Sequence, residues 1–258
     1  MEKLTTQSLR FIPKVRGLMS LLGRKPQGIS YYMSYLRDIQ KFLSGDRQKW
    51  VNELSKIEKE LEGIVVLKDK KILDISGEPG FFATDLVKQG NEVLVTAVTK
   101  EVADMMADKL LLNTRAYDFN QESLHALIQD QYDLVFIRYS IGFCKDLLPF
   151  IESLKKMLLP GGMVYISFSP ASRAVMARWM FDDYSYLRQY TTSTMIRSFS
   201  NLGFSLLKEI DHGSYFWDHG LPFIQKLFSK PYLKDIFHNA NPEEYYQHNV
   251  ALVFSLSK

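Results

Sequence analysis

Asp74, Ser76, Gly77, Glu78 and Gly80 fall together in "LDISGEPGFF", where a hydrophobic run gives way to a glycine-containing turn. A turn of this kind after a strand brings backbone amides close to a ligand. The question is which ligand these side chains allow. A dinucleotide needs three glycines in G-x-G-x-x-G so that the backbone can cradle a pyrophosphate. Only Gly77 and Gly80 remain here, and Glu78 would set a carboxylate beside the phosphates, where like charges repel. The lysine and hydroxyl residue of a P-loop are missing as well. A cationic ligand reverses the argument, because both acids then favour it.

The elements around the turn must supply the scaffold. From Lys70 the hydrophobic pattern alternates between strand and helix. "KKILDIS", "EVLVTAV", "RAYDF", "YDLVFIRYS" and "PGGMVYISF" read as strands, separated by helices such as "FFATDLVKQG", "KEVADMMADKLLL" and "DLLPFIESLKKMLL". "TTSTMIRSFSNLG" reads as a capped helix, "FSLLKEIDH" as a sixth strand and "NVALVFSLS" as a last strand in an antiparallel edge pair. Repeated strand–helix units imply a doubly wound α/β fold, with a mostly parallel seven-stranded sheet covered on both faces. In such sheets ligands bind beyond the carboxyl ends of the strands, where the strand order reverses. The "LDISGEPGFF" turn lies at such a strand end.

Residues 1–64 show helical spacing and little strand character, which predicts an N-terminal helical cap or arm ahead of a main domain over 65–258. Tyr32, Tyr35, Leu36 and Ile39 share one helical face, and Trp50, Leu54, Ile57 and Leu61 another. Two inserts, 170–190 and 213–247, interrupt the later strands. They carry Trp179, Phe181, Tyr184, Tyr186, Tyr215, Trp217 and Phe223, the makings of an aromatic lid.

Residues 70–168 resemble the class I S-adenosylmethionine-dependent methyltransferases. The first strand ends in an acid followed by the glycine loop, with Asp74, Ser76, Glu78 and Gly80 in register. "YDLVFIRYSIGFCKDLLPFIESLKKMLLPGGMVYISF" follows the family's fourth strand, helix and L-x-P-G-G entry to the fifth strand without a gap. The resemblance implies a Rossmann-like methyltransferase fold, S-adenosylmethionine as cofactor and S-adenosylhomocysteine as product. Its sulfonium and ammonium groups suit a loop carrying acids.

The resemblance also assigns roles. Asp74 would anchor the loop near the methionine amino group, and the backbone of Ser76, Gly77 and Gly80 would approach the cofactor. Asp118 matches the acid that binds the adenine amino group, with the Phe119 ring alongside. Arg138 to Ser140 would lie under the cofactor. The family's ribose-binding acid at the end of the second strand is replaced by Thr99, with Glu101 two residues on. Glu78 stands where the family has glycine. These departures leave two rivals open: a non-catalytic binding or scaffold protein, and a cofactor-retaining enzyme that catalyses a cyclisation or rearrangement.

The methyl acceptor expected from an aromatic lid is the hydroxyl or amino group of a small organic metabolite. The resemblance disfavours an amino group on a nucleobase or glutamine, because "IRYSIGF" replaces the proline-rich run of those enzymes. Candidate bases are His212 and His219, at or beyond the end of the sixth strand, and Tyr139 is a candidate for positioning the acceptor. No histidine and acid spacing demands a metal, and Cys144 is the only cysteine. A net charge of +3 gives no argument for nucleic acid. No apolar run approaches the roughly 20 residues needed to span a bilayer. The cytoplasm is the expected compartment. The basic stretch holding Lys226, Lys230 and Lys234 leaves lid helix, homodimer contact and peripheral membrane contact open.

Overall fold

The computed structural model describes residues 36–44, 53–120, 123–168, 170, 187–211 and 250–256. The chain divides into two compact units, Met1–Lys49 and Trp50–Lys258. In the first, a helix (α1) covers residues 36–43. Ser44 ends it with a side-chain bond from its Oγ to the carbonyl of Lys41, 2.8 Å. The lid inserts, apart from Pro170 and residues 187–190, and His212 and His219 lie outside the described residues.

In the second unit the elements run α2 (Glu53–Glu60), β1 (Lys71–Ile75), α3 (Phe81–Lys88), β2 (Glu92–Ala97), α4 (Lys100–Leu110), β3 (Asn113–Ala116), α5 (Leu124–Leu127), β4 (Tyr132–Arg138), a 3-10 turn (Ile141–Phe143), α6 (Leu147–Met157), β5 (Leu158–Phe168), α7 (Thr192–Asn201), β6 (Phe204–Asp211) and β7 (Val250–Leu256). The seven strands form one sheet in the order β3-β2-β1-β4-β5-β7-β6. β1 to β5 are mutually parallel, and β7 is antiparallel to both of its neighbours. β6 therefore runs parallel to β5, and its end at Asp211 pairs with the start of β7 at Val250. That places both at the same end of the sheet as the end of β1.

Two sequence readings shift. The third strand starts at Asn113, two residues earlier than "RAYDF", and ends at Ala116, the Tyr117 amide closing the parallel ladder on the Ala97 carbonyl at 2.7 Å. Within "ESLHALIQD" the described helix is the single turn Leu124–Leu127.

Alternation along the strands sorts side chains onto two faces. Leu73, Ile75, Val135, Ile137, Val164 and Ile166 join α6 and α7 in the main core, together with Leu154, Met195 and Phe199. The opposite face carries Ile72, Asp74, Phe136, Arg138 and Tyr165. There Phe82 of α3 meets the Phe136 ring edge-on at 4.9 Å, and Phe136 meets Tyr165 at 5.4 Å. α2 lies over the same face, where Glu60 accepts a 2.6 Å hydrogen bond from the Tyr165 hydroxyl. Asn91, buried after α3, donates to the carbonyls of Leu67 and Leu86 and accepts from the Lys70 amide. That fixes where β1 begins, and so where its loop ends.

Candidate ligand site at the end of strand one

The strand order reverses between β1 and β4, so the loop leaving β1 sits at the switch point. Two non-glycine residues with left-handed backbone flank it, Ser76 (φ 52°) after β1 and Tyr139 (φ 56°) after β4. Backbone strain of this kind concentrates at ligand sites. The buried Thr96 of β2 holds the loop: its hydroxyl accepts from the Ser76 amide at 2.9 Å, and its carbonyl from the Gly77 amide at 3.1 Å. Ser76 thus occupies a conformation that glycine enters without strain. Ser76→Gly is expected to stabilise the fold by about 1 kcal/mol, read from chemical denaturation.

The two glycines have steric reasons. A Cβ on Gly77 would run into the Asp74 carboxylate and come within 2.9 Å of Val95 Cγ1. Gly80, at φ 89°, opens α3, and a Cβ there would come within 2.8 Å of Leu112 Cδ1 and 3.1 Å of Met106 Sδ. One glycine lets the carboxylate fold over the loop, and the other lets α3 pack against α4 and the start of β3.

Asp74 is fully buried and grips Arg138, whose Nη2 donates at 2.9 Å and Nε at 3.3 Å. The remaining arm of the guanidinium, Nη1, donates to Glu53 of α2 at 2.6 Å. The guanidinium also lies 4.2 Å above the Phe82 ring. Burial pushes the Asp74 carboxyl up, and Arg138 opposes that shift. Burial works against the Arg138 charge too, but Asp74 and Glu53 outweigh it and raise its pKa, so it stays protonated. Asp74 thus has both carboxylate oxygens engaged by Arg138 at the base of the loop.

Glu78 departs from the loop toward β2. Its Oε1 accepts from the amide of Val98, 20 residues on, at 2.7 Å. Burial pushes its carboxyl up to about 7, Asp74 adds to the rise, and the hydrogen bond from Val98 with the pull of Arg138 moderates it. The folded chain thus holds a proton that the unfolded chain releases near pH 4.5. The contribution of Glu78 to stability is expected to be fully present below that pH and to be lost on the way to pH 7, by on the order of 2 kcal/mol after discounting for partial exposure. Glu78→Gln should remove most of this loss, read from denaturation midpoints at pH 5 and pH 8.

The remaining sequence candidates are placed as follows. Thr99 is the N-cap of α4, its hydroxyl accepting from the Val102 amide at 3.3 Å. Glu101 lies in the first turn of that helix, exposed. Asp118 accepts from the Asn120 amide at 2.9 Å, and Asn120 in turn donates to the Phe143 carbonyl and accepts from the Lys145 amide. The loops after β3 and β4 are thereby stapled together. The Phe119 ring packs between Tyr117 and Phe150, at 5.4 and 5.1 Å. Tyr139 is 47% exposed, and desolvation followed by Glu53 pushes its phenol up, so it offers a neutral hydroxyl. Ser140 Oγ is buried with no hydrogen-bond partner among the described residues.

Residue-level sequence reasoning missed Glu53, Thr96 and Asn120. Thr96 carried a signal, as a hydroxyl inside an otherwise apolar strand. Arg138 at the end of a buried strand signalled that some carboxylate must meet it.

The order of the strands and a loop at their switch point define a Rossmann-like methyltransferase fold. Residues 73–166 match the family model described as a methyltransferase domain. A curated relative, the biotin biosynthesis bifunctional protein BioHC of Cellvibrio japonicus, is 24% identical over 55% of the chain; the match spans 32% of that protein, about a third of its length. Among solved structures, a TehB-like S-adenosylmethionine-dependent methyltransferase from Corynebacterium glutamicum aligns with a TM-score of 0.58 at 16% identity, over 89% of this chain and 100% of that one. A chain from the complex of the Haloferax volcanii Trm112 methyltransferase activator with a methyltransferase aligns with a TM-score of 0.59 at 12% identity, over 87% and 98%. Residues 73–166 thus match a methyltransferase domain, and the chain shares the fold of solved methyltransferases.

Proposed function

We propose that this chain transfers a methyl group from S-adenosylmethionine to a hydroxyl or amino group of a small organic metabolite, releasing S-adenosylhomocysteine. The observation that carries the reading is the charge around the loop. Among the described residues, three carboxyl groups, Asp74, Glu53 and Glu78, lie there with the guanidinium of Arg138, and Glu78 ionises near neutrality. That excess favours a cationic ligand over a phosphate. The Ser140 hydroxyl, buried with no hydrogen-bond partner among the described residues, fits a polar ligand group beside the loop.

The cofactor supplies an activated methyl group on a sulfonium, open to in-line displacement. The protein's part is alignment and exclusion of water. Thr96 and the Asp74–Arg138 pair would hold the loop backbone in place, with Asp118 facing the adenine and Phe119 bracing it. Tyr139 would offer a neutral hydroxyl to orient the acceptor. His212 and His219, beyond the end of β6, are proposed as acceptor bases.

Incubation of the protein with labelled S-adenosylmethionine and a metabolite extract should yield S-adenosylhomocysteine and a labelled small molecule, resolved by mass spectrometry. Tight cofactor binding with neither product formed across such a pool would contradict a transferase.

A further inference from the structure

In open α/β sheets the acid that reads a ribose stands at the carboxyl end of β2, about 20 residues beyond the glycine loop. That strand end has no acid here. β2 finishes at Ala97, Val98 follows, and the Thr99 hydroxyl is spent on capping α4. Glu101 points out of the first turn of α4. Yet a carboxylate does reach this strand end, because Glu78 crosses from the loop to the Val98 amide. The acid in the loop and the missing acid on the strand then become one exchange.

We propose that Glu78 accepts the hydroxyls of the vicinal diol of an adenosyl ligand, supplying from the loop the carboxylate that the end of β2 lacks. The proposal rests on the reading of this site as an adenosyl-cofactor site. The chemistry is sufficient. An ionised carboxylate has about four acceptor positions, and the hydrogen bond from Val98 takes one of them while fixing the group's direction. The neighbouring acid, Asp74 of β1, is matched by Arg138 of β4. Hydroxyl donors favour the ionised form of Glu78, so binding below neutrality should expel its proton.

The test is titration calorimetry with S-adenosylhomocysteine and its 2′-deoxy and 3′-deoxy analogues. The wild type should bind the parent ligand about 10- to 100-fold more tightly than either analogue, as expected for hydrogen bonds to a charged acceptor. Glu78→Gln should lose a similar factor for the parent and discriminate weakly against the analogues. The exchange variant Glu78→Gly/Thr99→Asp should recover affinity and discrimination, since aspartate also caps a helix well. If Glu78→Gln folds poorly, the wild type alone still decides. In buffers of different ionisation enthalpy at pH 6.5 it should release a proton on binding S-adenosylhomocysteine, and far less on binding the deoxy analogues. Unchanged affinity and discrimination in Glu78→Gln, or no ligand-dependent proton release by the wild type, would overturn the Glu78 assignment and leave the cofactor site standing. No binding of S-adenosylhomocysteine by the folded wild type would overturn both.

Discussion

Arg138→Met is expected to destabilise the fold by about 3–5 kcal/mol, the usual cost of stranding one partner of a buried ion pair. Asp74 has no exposed surface, and both of its oxygens are satisfied by the one guanidinium. Methionine would fill much of the space over Phe82 but leave the carboxylate in an apolar layer with Phe136. For a domain of this size the melting temperature should drop by roughly 6–20 °C. The loss should depend on pH. Burial already raises the Asp74 carboxyl, and without Arg138 it rises further. The variant should therefore be nearest the wild type at pH 4–5 and fall behind as pH increases. Adding Asp74→Leu to Arg138→Met should restore much of the stability, because an apolar pair replaces the ions. Glu53→Gln should cost no more than about 1 kcal/mol, since Glu53 is 36% exposed. Thermal melting of the four proteins at pH 5 and pH 8 checks all of this. A loss below about 1 kcal/mol in Arg138→Met would show that Asp74 is satisfied another way.

Gly77→Ala is expected to cost about 3 kcal/mol and to weaken cofactor binding at least tenfold. The added methyl would occupy the place of the Asp74 carboxylate and press on Val95. The carboxylate cannot retreat without releasing Arg138, so overpacking and ion-pair loss act together. The alternative is for the loop to lift away, which breaks the bonds from the Ser76 and Gly77 amides to Thr96. Either route moves the backbone that a ligand would contact. Denaturation and titration with S-adenosylhomocysteine should change together. Full stability with full affinity would mean that the loop has slack absent from this geometry.

Much of the scaffold was legible because layered packing writes itself into hydrophobic period. The runs from "KKILDIS" to "PGGMVYISF" declared the parallel sheet, and "NVALVFSLS" the antiparallel strand that lies between β5 and β6. The Asp74 loop was legible because its strand ends where the turn residues begin. What stood opposite each charge was not. Glu53 and Glu60 sit in a helix whose other charges suit solvent, yet one meets Arg138 from 85 residues away and the other meets Tyr165 from 105. Local spacing does not encode such pairings. Thr99 read as an absent acid, whereas its position at the entry to α4 gives it a capping role. Glu78 read as an intrusion into the glycine loop, because the direction of its side chain toward Val98 depends on how the loop crosses β2.

The central claim is that the loop after β1 holds an adenosyl cofactor, and titration calorimetry of the wild-type chain with S-adenosylhomocysteine tests it most directly. Saturable one-site binding with a dissociation constant below about 1 mM is the expected result. A folded protein that gives no binding heat with millimolar ligand across several temperatures would contradict it.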